Sequence, residues 1–315
     1  MVGYIVRRVL WIIPVLLVVS LITFTLMKAT PGGPWDREKP LTRQVIANLN
    51  AKYGLDDPLP VQYVRWLVGW PTDDGFQRGL LLGDLGPSYR FPDRSVNDIL
   101  SDSIGPTLQL GVMAFLLSVV VGIPLGVIAA LRQNRMADYV ATFVSVLGIS
   151  TPSFVAATLL VVIFSIGLGW FPTGGWRGPE YWVLPTLALA LAPIASIARY
   201  TRASMLEVTR KDYVRTAQSK GLRERSIVVI HMIRNALIPV VTILGPILAF
   251  LVTGSFIIEL LFSVPGIGRF YVQAIAQRDY GLIMAMTMLY AAVIALLNMV
   301  VDILYAYIDP RIRYS

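Results

Sequence analysis

Six stretches of this chain carry no ionised side chain, and they decide what it can fold into. The gap from Arg8 to Lys28 holds 19 uncharged residues, Asp102 to Arg132 holds 29, and Asp138 to Arg177 holds 38. Glu180 to Arg199 holds 18, Arg234 to Glu259 holds 24 and Asp279 to Asp302 holds 22, so 150 of the 315 residues lie in charge-free runs. A helix needs about 20 apolar residues to cross the hydrocarbon core of a bilayer. Helices buried in a soluble core would show polar faces at helical spacing, which these segments lack. The longest gap exceeds one straight helix, but Gly167, Gly169, Pro172, Gly174 and Gly175 end it near residue 168. The expectation is an all-α polytopic membrane protein with six transmembrane helices. Composition agrees: only 15% of residues are charged and mean hydropathy is +0.66, where a soluble domain is about one quarter charged.

The net charge of +8 would suggest nucleic acid in a soluble protein. In an apolar chain it reports topology, and no nucleic-acid partner is expected. Lys and Arg in short loops mark the cytoplasmic side. Arg7 and Arg8 precede helix 1, Arg132 and Arg135 join helices 2 and 3, and Arg311 and Arg313 follow helix 6. Nine more basic residues lie between helices 4 and 5, from Arg199 to Arg234, whereas the opposite short loops hold only Arg177, Arg269 and Arg278. Both termini are therefore expected in the cytoplasm. The 19-residue first run exceeds a signal-peptide core of roughly 7–15 residues, and Lys28-Ala29-Thr30-Pro31 lacks a small-x-small cleavage pattern, so helix 1 is read as uncleaved. No Cys is present, which removes disulfides, thiolate metal sites and cysteine nucleophiles.

The expected organisation is an N-terminal transmembrane helix over 1–28, an extracytoplasmic segment over 29–103, a transmembrane core over 104–308 with a cytoplasmic segment at 199–235, and a cytoplasmic tail over 309–315. The outer segment carries Tyr53, Leu55, Tyr63, Trp66, Leu67, Trp70 and Leu85 among Pro and Gly turns. These are anchors for a small packed unit or for the headgroup level, and Gln62 to Trp70 reads as a short amphipathic helix.

The segment 199–235 is the most informative. Thr209 followed by Asp212 has capping-box spacing, and the helix it opens ends with Lys220 and with Gly221 at a left-handed C-cap position. Tyr213, Val214 and Ala217 are its less polar positions. Leu222, Ile227, Ile230 and Ile233 then recur at helical spacing. A basic loop that only sets topology is the plain alternative, and anionic headgroups are a third partner. Topology needs a few Lys or Arg and no capped helix ending in glycine, so a rigid element that docks another protein is preferred.

The run Asp212-Tyr213-Val214-Arg215-Thr216-Ala217-Gln218-Ser219-Lys220-Gly221-Leu222, with Arg234-Asn235-Ala236-Leu237-Ile238-Pro239, resembles the cytoplasmic loop of ABC importer permeases. More narrowly, the chain is similar to the first permease subunit of the dipeptide/oligopeptide/nickel importers. The resemblance runs nearly end to end, through Tyr4-x-x-Arg7-Arg8, Pro31-Gly32-Gly33-Pro34, Tyr53-Gly54-Leu55-Asp56, Gly83-Asp84-Leu85-Gly86, Gly122-Ile123-Pro124-Leu125-Gly126, Pro152-Ser153-Phe154, Phe262-x-x-Pro265-Gly266-x-Gly268 and Asp302 to Tyr314. Each piece is weak; their order is strong. The wider family's loop pattern has Glu-Ala-Ala, Gly and Ile-x-Leu-Pro. Here Ala217 and Gly221 fit, Arg215 and Thr216 stand at the Glu and first Ala positions, and His231, Ile233 and Arg234 stand at Ile, Leu and Pro.

The resemblance implies a type I ABC importer permease fold, with helices 2 to 6 as its core, in a bacterial or archaeal cytoplasmic membrane. It implies an importer of five parts: this permease, a homologous second permease, two ATPase subunits or domains, and an extracytoplasmic binding protein. Residues Lys211, Asp212, Arg215, Ala217, Gln218, Ser219, Lys220, Gly221, Leu222 and Arg223 would form the coupling helix seated on one ATPase. The implied cargo is dipeptides or oligopeptides, with nickel chelates, glutathione or sugars as alternatives. The chain holds no G-x-x-x-x-G-K-[ST] phosphate loop, so ATP and Mg are expected on the partners. No catalytic, metal or cofactor residue is expected in this chain.

Rival readings fare less well. An ion-coupled carrier working alone usually places Asp, Glu or His inside the membrane, and all six spans lack them. An intramembrane enzyme needs a nucleophile–base pair or paired aspartates that the spans do not offer. His231, the single histidine, reads as a packing residue. Glu259, at the outer end of helix 5, reads as ion-paired or solvated, and Asp302 as near the cytoplasmic end of helix 6; both are minor gate candidates. Gly122 and Gly126 permit close helix approach. Pro124, Pro152, Pro185, Pro193 and Pro246 interrupt spans, and Met284, Met286, Met288 and Met299 read as packing.

Overall fold

In the computed structural model, residues 2–35, 41–72, 75–91 and 94–308 are described; the tail with Arg311, Arg313 and Tyr314 lies outside them. The charge-free runs become helices. The long ones are α1 (Val2–Ala29), α4 (Val96–Leu131), α7 (Pro179–Thr209), α10 (Arg234–Val252) and α13 (Tyr280–Ile308). Among the described residues, five segments are long and apolar enough to cross a membrane: Val6–Ala29, Val96–Leu131, Pro179–Thr209, Glu224–Val252 and Tyr280–Val300.

The expected third span is not one helix. α5 (Met136–Ser150) and α6 (Ser153–Leu160), which continues as a π-helical stretch Val161–Gly167, meet at a 108° bend. The reason is local. A residue before proline is driven out of the helical region, and Thr151, ahead of Pro152, is extended at φ −85°, ψ 120°. The count of six spans holds only if this bent pair is one of them. Prolines 124, 185, 193 and 246 instead lie inside α4, α7 and α10 without ending them, so of the five expected interruptions only Pro152 breaks a helix.

The chain divides into two units. The first comprises Met1–Gly105 and Arg269–Val293. Its segment after α1 folds into α2 (Arg43–Tyr53), α3 (Leu59–Val68) and an antiparallel hairpin of β1 (Gly69–Thr72) and β2 (Gly75–Arg78). The hairpin is the exception to the all-α expectation, and α3 takes the place of the amphipathic helix expected over 62–70. Trp35 is buried and its ring lies 5.5 Å from both Tyr53 and Tyr89; its Nε1 donates to Asn50 Oδ1 at 2.8 Å. Asp279, between α12 (Ile267–Gln277) and α13, is buried and gathers this unit. Its carboxylate accepts from the Ser88 hydroxyl and from the amides of Tyr89, Arg90 and Leu282. Arg90 donates to the carbonyls of Gln277 and Pro34 at 2.7 and 2.9 Å.

The second unit comprises Pro106–Gly268 and Ile294–Ser315, and α7 is its central helix, packed on α5, α6 and α10. In a membrane, helices associate through close packing rather than water exclusion, which favours small residues at contacts. The buried face of α7 is accordingly rich in Ala188, Ala190, Ala195 and Ala198. α4 fits against it at the expected glycines: a Cβ on Gly126 would lie 2.5 Å from the Ala198 carbonyl oxygen, and one on Gly122 2.9 Å from Ile197 Cβ. α1 and α5 keep broad exposed apolar faces, among them Trp11, Leu17, Leu21, Tyr139 and Phe143.

Candidate functional site

The cytoplasmic-loop expectation meets a compact element. α8 (Asp212–Ser219) follows α7 after a two-residue link. Its N-cap is Lys211, extended at φ −78°, ψ 147°, without a side-chain cap. The capping-box expectation fails because Thr209 is still the last residue of α7, and its hydroxyl is spent on the Met205 carbonyl. Asp212 in the first turn remains favourable to the helix dipole. Val214 and Ala217, three apart and so on one face, are 1% and 5% exposed and join a cluster with Met205, Val208, Ile227, Met232 and Ala236. α8 is thereby fixed to the end of α7 and to the chain leading into α10.

The helix ends as expected. Gly221 takes φ +73°, its amide donates to the Gln218 carbonyl at 2.9 Å, and Leu222 N–H donates to the Ala217 carbonyl at 3.4 Å. After α9 (Glu224–Ser226), a π-helical stretch Ile227–Ile233 runs directly into α10. The expected apolar stripe is only partly used: Ile227 is buried, but Leu222 and Ile230 are 45% and 54% exposed.

Of the ten residues assigned to partner contact, Lys211, Asp212, Arg215, Gln218, Ser219, Lys220, Gly221, Leu222 and Arg223 are exposed. Ala217 is not; it is a positioning residue that anchors α8 from beneath. The exposed surface is mainly cationic, with Tyr213 and Leu222 as apolar points within it. Lys211 bonds Glu207 at 2.9 Å, which holds its ammonium above the ordinary lysine value; with both side chains exposed, the pair adds little stability. His231 is half-buried, and its carbonyl accepts from the Asn235 amide at 2.7 Å.

Two polar arrangements elsewhere in the second unit are built on buried carboxylates. Asp138, at the start of α5, is 4% exposed and receives both arms of the Arg202 guanidinium, Nε at 2.5 Å and Nη2 at 2.8 Å. The Asn134 amide adds a third donor at 3.0 Å. The pair ties α5 to α7 three turns before α8. The sequence marks Asp138 only as the edge of a charge-free run and Arg202 only as one of the nine basic residues from Arg199 to Arg234, and their spacing of 64 positions carries no local signal.

The second arrangement overturns the solvated reading of Glu259. This residue, in α11 (Phe256–Leu261), has no exposed surface. Its carboxylate accepts from Thr107 Oγ1 at 3.0 Å and from the Gly268 amide at 2.7 Å. Thr107 in turn accepts the Ile267 amide at 2.9 Å. A Cβ at Gly254, Gly266 or Gly268 would collide with the Glu259 carboxylate. The Pro265-Gly266-x-Gly268 run is thus the wall of a carboxylate cradle, and an acid six residues upstream of a Pro-Gly pair was the available signal. Asp302 sits in α13.

Long apolar helices with the short α8 held outside them define a polytopic membrane protein. The chain belongs to the family of binding-protein-dependent transport system inner membrane components, whose sequence profile matches residues 122–314, with the family's N-terminal profile matching residues 1–111. It is 44% identical to the dipeptide transport system permease protein DppB of Bacillus subtilis (strain 168), over 99% of this chain and 98% of that one. It is also 44% identical to the oligopeptide transport system permease protein OppB of Escherichia coli (strain K12), over the full length of both. Among solved structures, an inward-facing MetNI methionine ABC transporter aligns with 67% of this chain and 96% of that chain, at 16% identity and a TM-score of 0.56. The fold is that of a type I ABC importer permease.

Proposed function

We propose that this chain is one permease subunit of an ATP-driven, binding-protein-dependent importer, and that its cargo is dipeptides or oligopeptides. The observation that carries the cargo reading is end-to-end similarity at 44% identity to permeases named for dipeptide and oligopeptide transport. The importer would comprise this permease, a homologous second permease, two ATPase subunits or domains that bind ATP and Mg, and an extracytoplasmic binding protein. The chain itself would hydrolyse nothing. Both termini would face the cytoplasm, 29–103 would face outward, and 104–308 would form the transport core.

Within that assembly α8 and the Gly221 turn are the coupling element. Closure of the ATPases would push on the exposed residues from Lys211 to Arg223, and the buried Val214–Ala217 face would pass the displacement to α7 and α10, reorienting the two permeases. Rigidity is what such a transmission needs, and α8 has it through its packed underside. A carrier working alone has no use for a packed, solvent-exposed cationic helix.

The test is reconstitution of the importer in proteoliposomes with Gly221→Pro. Proline cannot take a positive φ, so the turn is displaced while insertion into the membrane is unaffected. Loss of substrate-stimulated ATP turnover and of peptide uptake is expected. Normal stimulated turnover would overturn the coupling assignment, and peptide uptake by this chain alone under an ion gradient would overturn the importer reading.

A further inference from the structure

Within the first unit, a cavity of about 380 Å³ opens where the last turns of α1 meet the first turns of α13. Both helices are apolar enough to cross a membrane, so their shared end marks a membrane–water boundary. The walls are of two kinds. Phe24, Met27 and Met284 form an apolar side, and Lys28, Lys52, Arg65 and Arg78 form a cationic one. Asp84 is the acid among the described lining residues, and it accepts the Gly86 amide at 2.8 Å.

The cations are short of partners. Arg65 pairs with Asp57 at 2.7 Å, but among the described residues no carboxylate pairs with Lys28, Lys52 or Arg78. Lys28 is half-buried, and its ammonium faces the rings of Tyr280, at 5.2 Å, and Phe24, at 5.7 Å.

We propose that this cavity binds the phosphate headgroup of a glycerophospholipid, with Lys28, Lys52 and Arg78 neutralising the phosphate beside the Arg65–Asp57 pair. A phosphodiester supplies several acceptor oxygens to three cations that pair with no carboxylate among the described residues. Free inorganic phosphate would answer the cations but leave the Phe24, Met27 and Met284 wall unfilled. A lipid answers both, with its glycerol and upper acyl carbons on the apolar wall and its chains along the exposed Leu21 and Leu26 of α1. Three cations without carboxylates favour an anionic headgroup over a zwitterionic one.

The experiment uses the full chain, purified in mild detergent with its transport partners, and reads bound lipid by native mass spectrometry and protection against thermal unfolding. Phosphatidylglycerol, phosphatidylcholine and inorganic phosphate are added separately. One phosphatidylglycerol is expected to bind and protect, with affinity falling about fivefold for each cation removed, as surface lysines and arginines act on anionic lipid. Lys28→Gln tests the half-buried cation; Lys52→Gln and Arg78→Gln change exposed side chains, so they keep the test open if Lys28→Gln fails to fold. Unchanged phosphatidylglycerol binding in Lys52→Gln and Arg78→Gln would overturn the site. Equal binding of phosphatidylcholine would overturn its recognition by charge, and equal protection by inorganic phosphate would overturn the lipid assignment.

Discussion

The hydroxyl of Thr107 donates to the carboxylate of Glu259 at 3.0 Å across 152 residues of chain. The same hydroxyl accepts the Ile267 amide at 2.9 Å, so it sits in the middle of a relay rather than at its end. The relay fixes three separate pieces of backbone: the first half of α4, the short helix α11 and the turn that opens α12. Because every member is buried, each donor depends on its acceptor, and loss of one partner strands the others.

Glu259→Ala therefore leaves the Thr107 hydroxyl and the Gly268 amide without their acceptor. At about 1–3 kcal/mol for each of the two stranded groups, a loss of roughly 2–6 kcal/mol is expected, read as a lower unfolding temperature in detergent. Glu259→Gln keeps one acceptor oxygen but turns an NH₂ toward a donor, and should lie between wild type and Glu259→Ala. Gly266→Ala, with every hydrogen-bonding group intact, should destabilise by crowding the carboxylate. Wild-type thermal stability in Glu259→Ala would refute the relay.

The contrast between Glu259 and α8 shows what a sequence carries. The long helices were legible because a bilayer demands apolar length, a property that any window of sequence displays. The end of α8 was legible because a left-handed position at 221 calls for glycine, again a local demand. The start of α8 was misread for an equally local reason: Thr209 had a competing acceptor in the Met205 carbonyl. Asp138 was not legible as a buried residue, because Arg202 lies 64 positions away; Glu259 was legible only in part, since the Gly268 amide is nine positions on but Thr107 is 152 away. The bend at Pro152 was half legible: proline marks the place, but only the packing of both arms around α7 decides that the chain turns through 108°.

The Asp138–Arg202 pair should tolerate few substitutes. Its two parallel bonds use the fork of a guanidinium, which lysine lacks. Asp138→Ala leaves Arg202 facing an apolar gap; breaking a buried pair costs about 3–5 kcal/mol, and the lower end is expected because Arg202 keeps 30% of its side chain exposed. Arg202→Lys should recover less than half of the difference in unfolding temperature between Arg202→Ala and wild type. Full recovery by lysine would show that charge alone matters there.

Gly221 separates backbone strain from packing. A Cβ built there meets nothing within 4 Å, so Gly221→Ala adds no clash, and its cost is only that of a left-handed residue, about 1–2 kcal/mol. Gly221→Asn, which tolerates that conformation better, should cost less. Protease accessibility of the 219–224 turn should rise in the order Gly, Asn, Ala. Equal accessibility in all three would mean that the positive φ is not required.

Tyr89 sets an alkaline limit on the first unit. Its ring lies 4.7 Å from Tyr53 and 5.5 Å from Trp35, and its amide donates to Asp279 at 3.1 Å. Burial first, then the Asp279 carboxylate and the neighbouring phenols, pushes the Tyr89 phenol above its ordinary value. The sign follows from proton binding. Above about pH 10 an unfolded tyrosine releases its proton while the folded one keeps it, so the unfolded chain binds fewer protons and stability falls as pH rises. Below about pH 10 both states hold the proton, and this group contributes no pH dependence. The expected slope reaches at most about 1.4 kcal/mol per pH unit, and Tyr89→Phe should flatten it by that amount. Chemical unfolding of both proteins at about pH 9 and about pH 11 measures the difference. Identical slopes would mean that Tyr89 ionises freely in the folded chain, and that the ring cluster around Trp35 does not close over it.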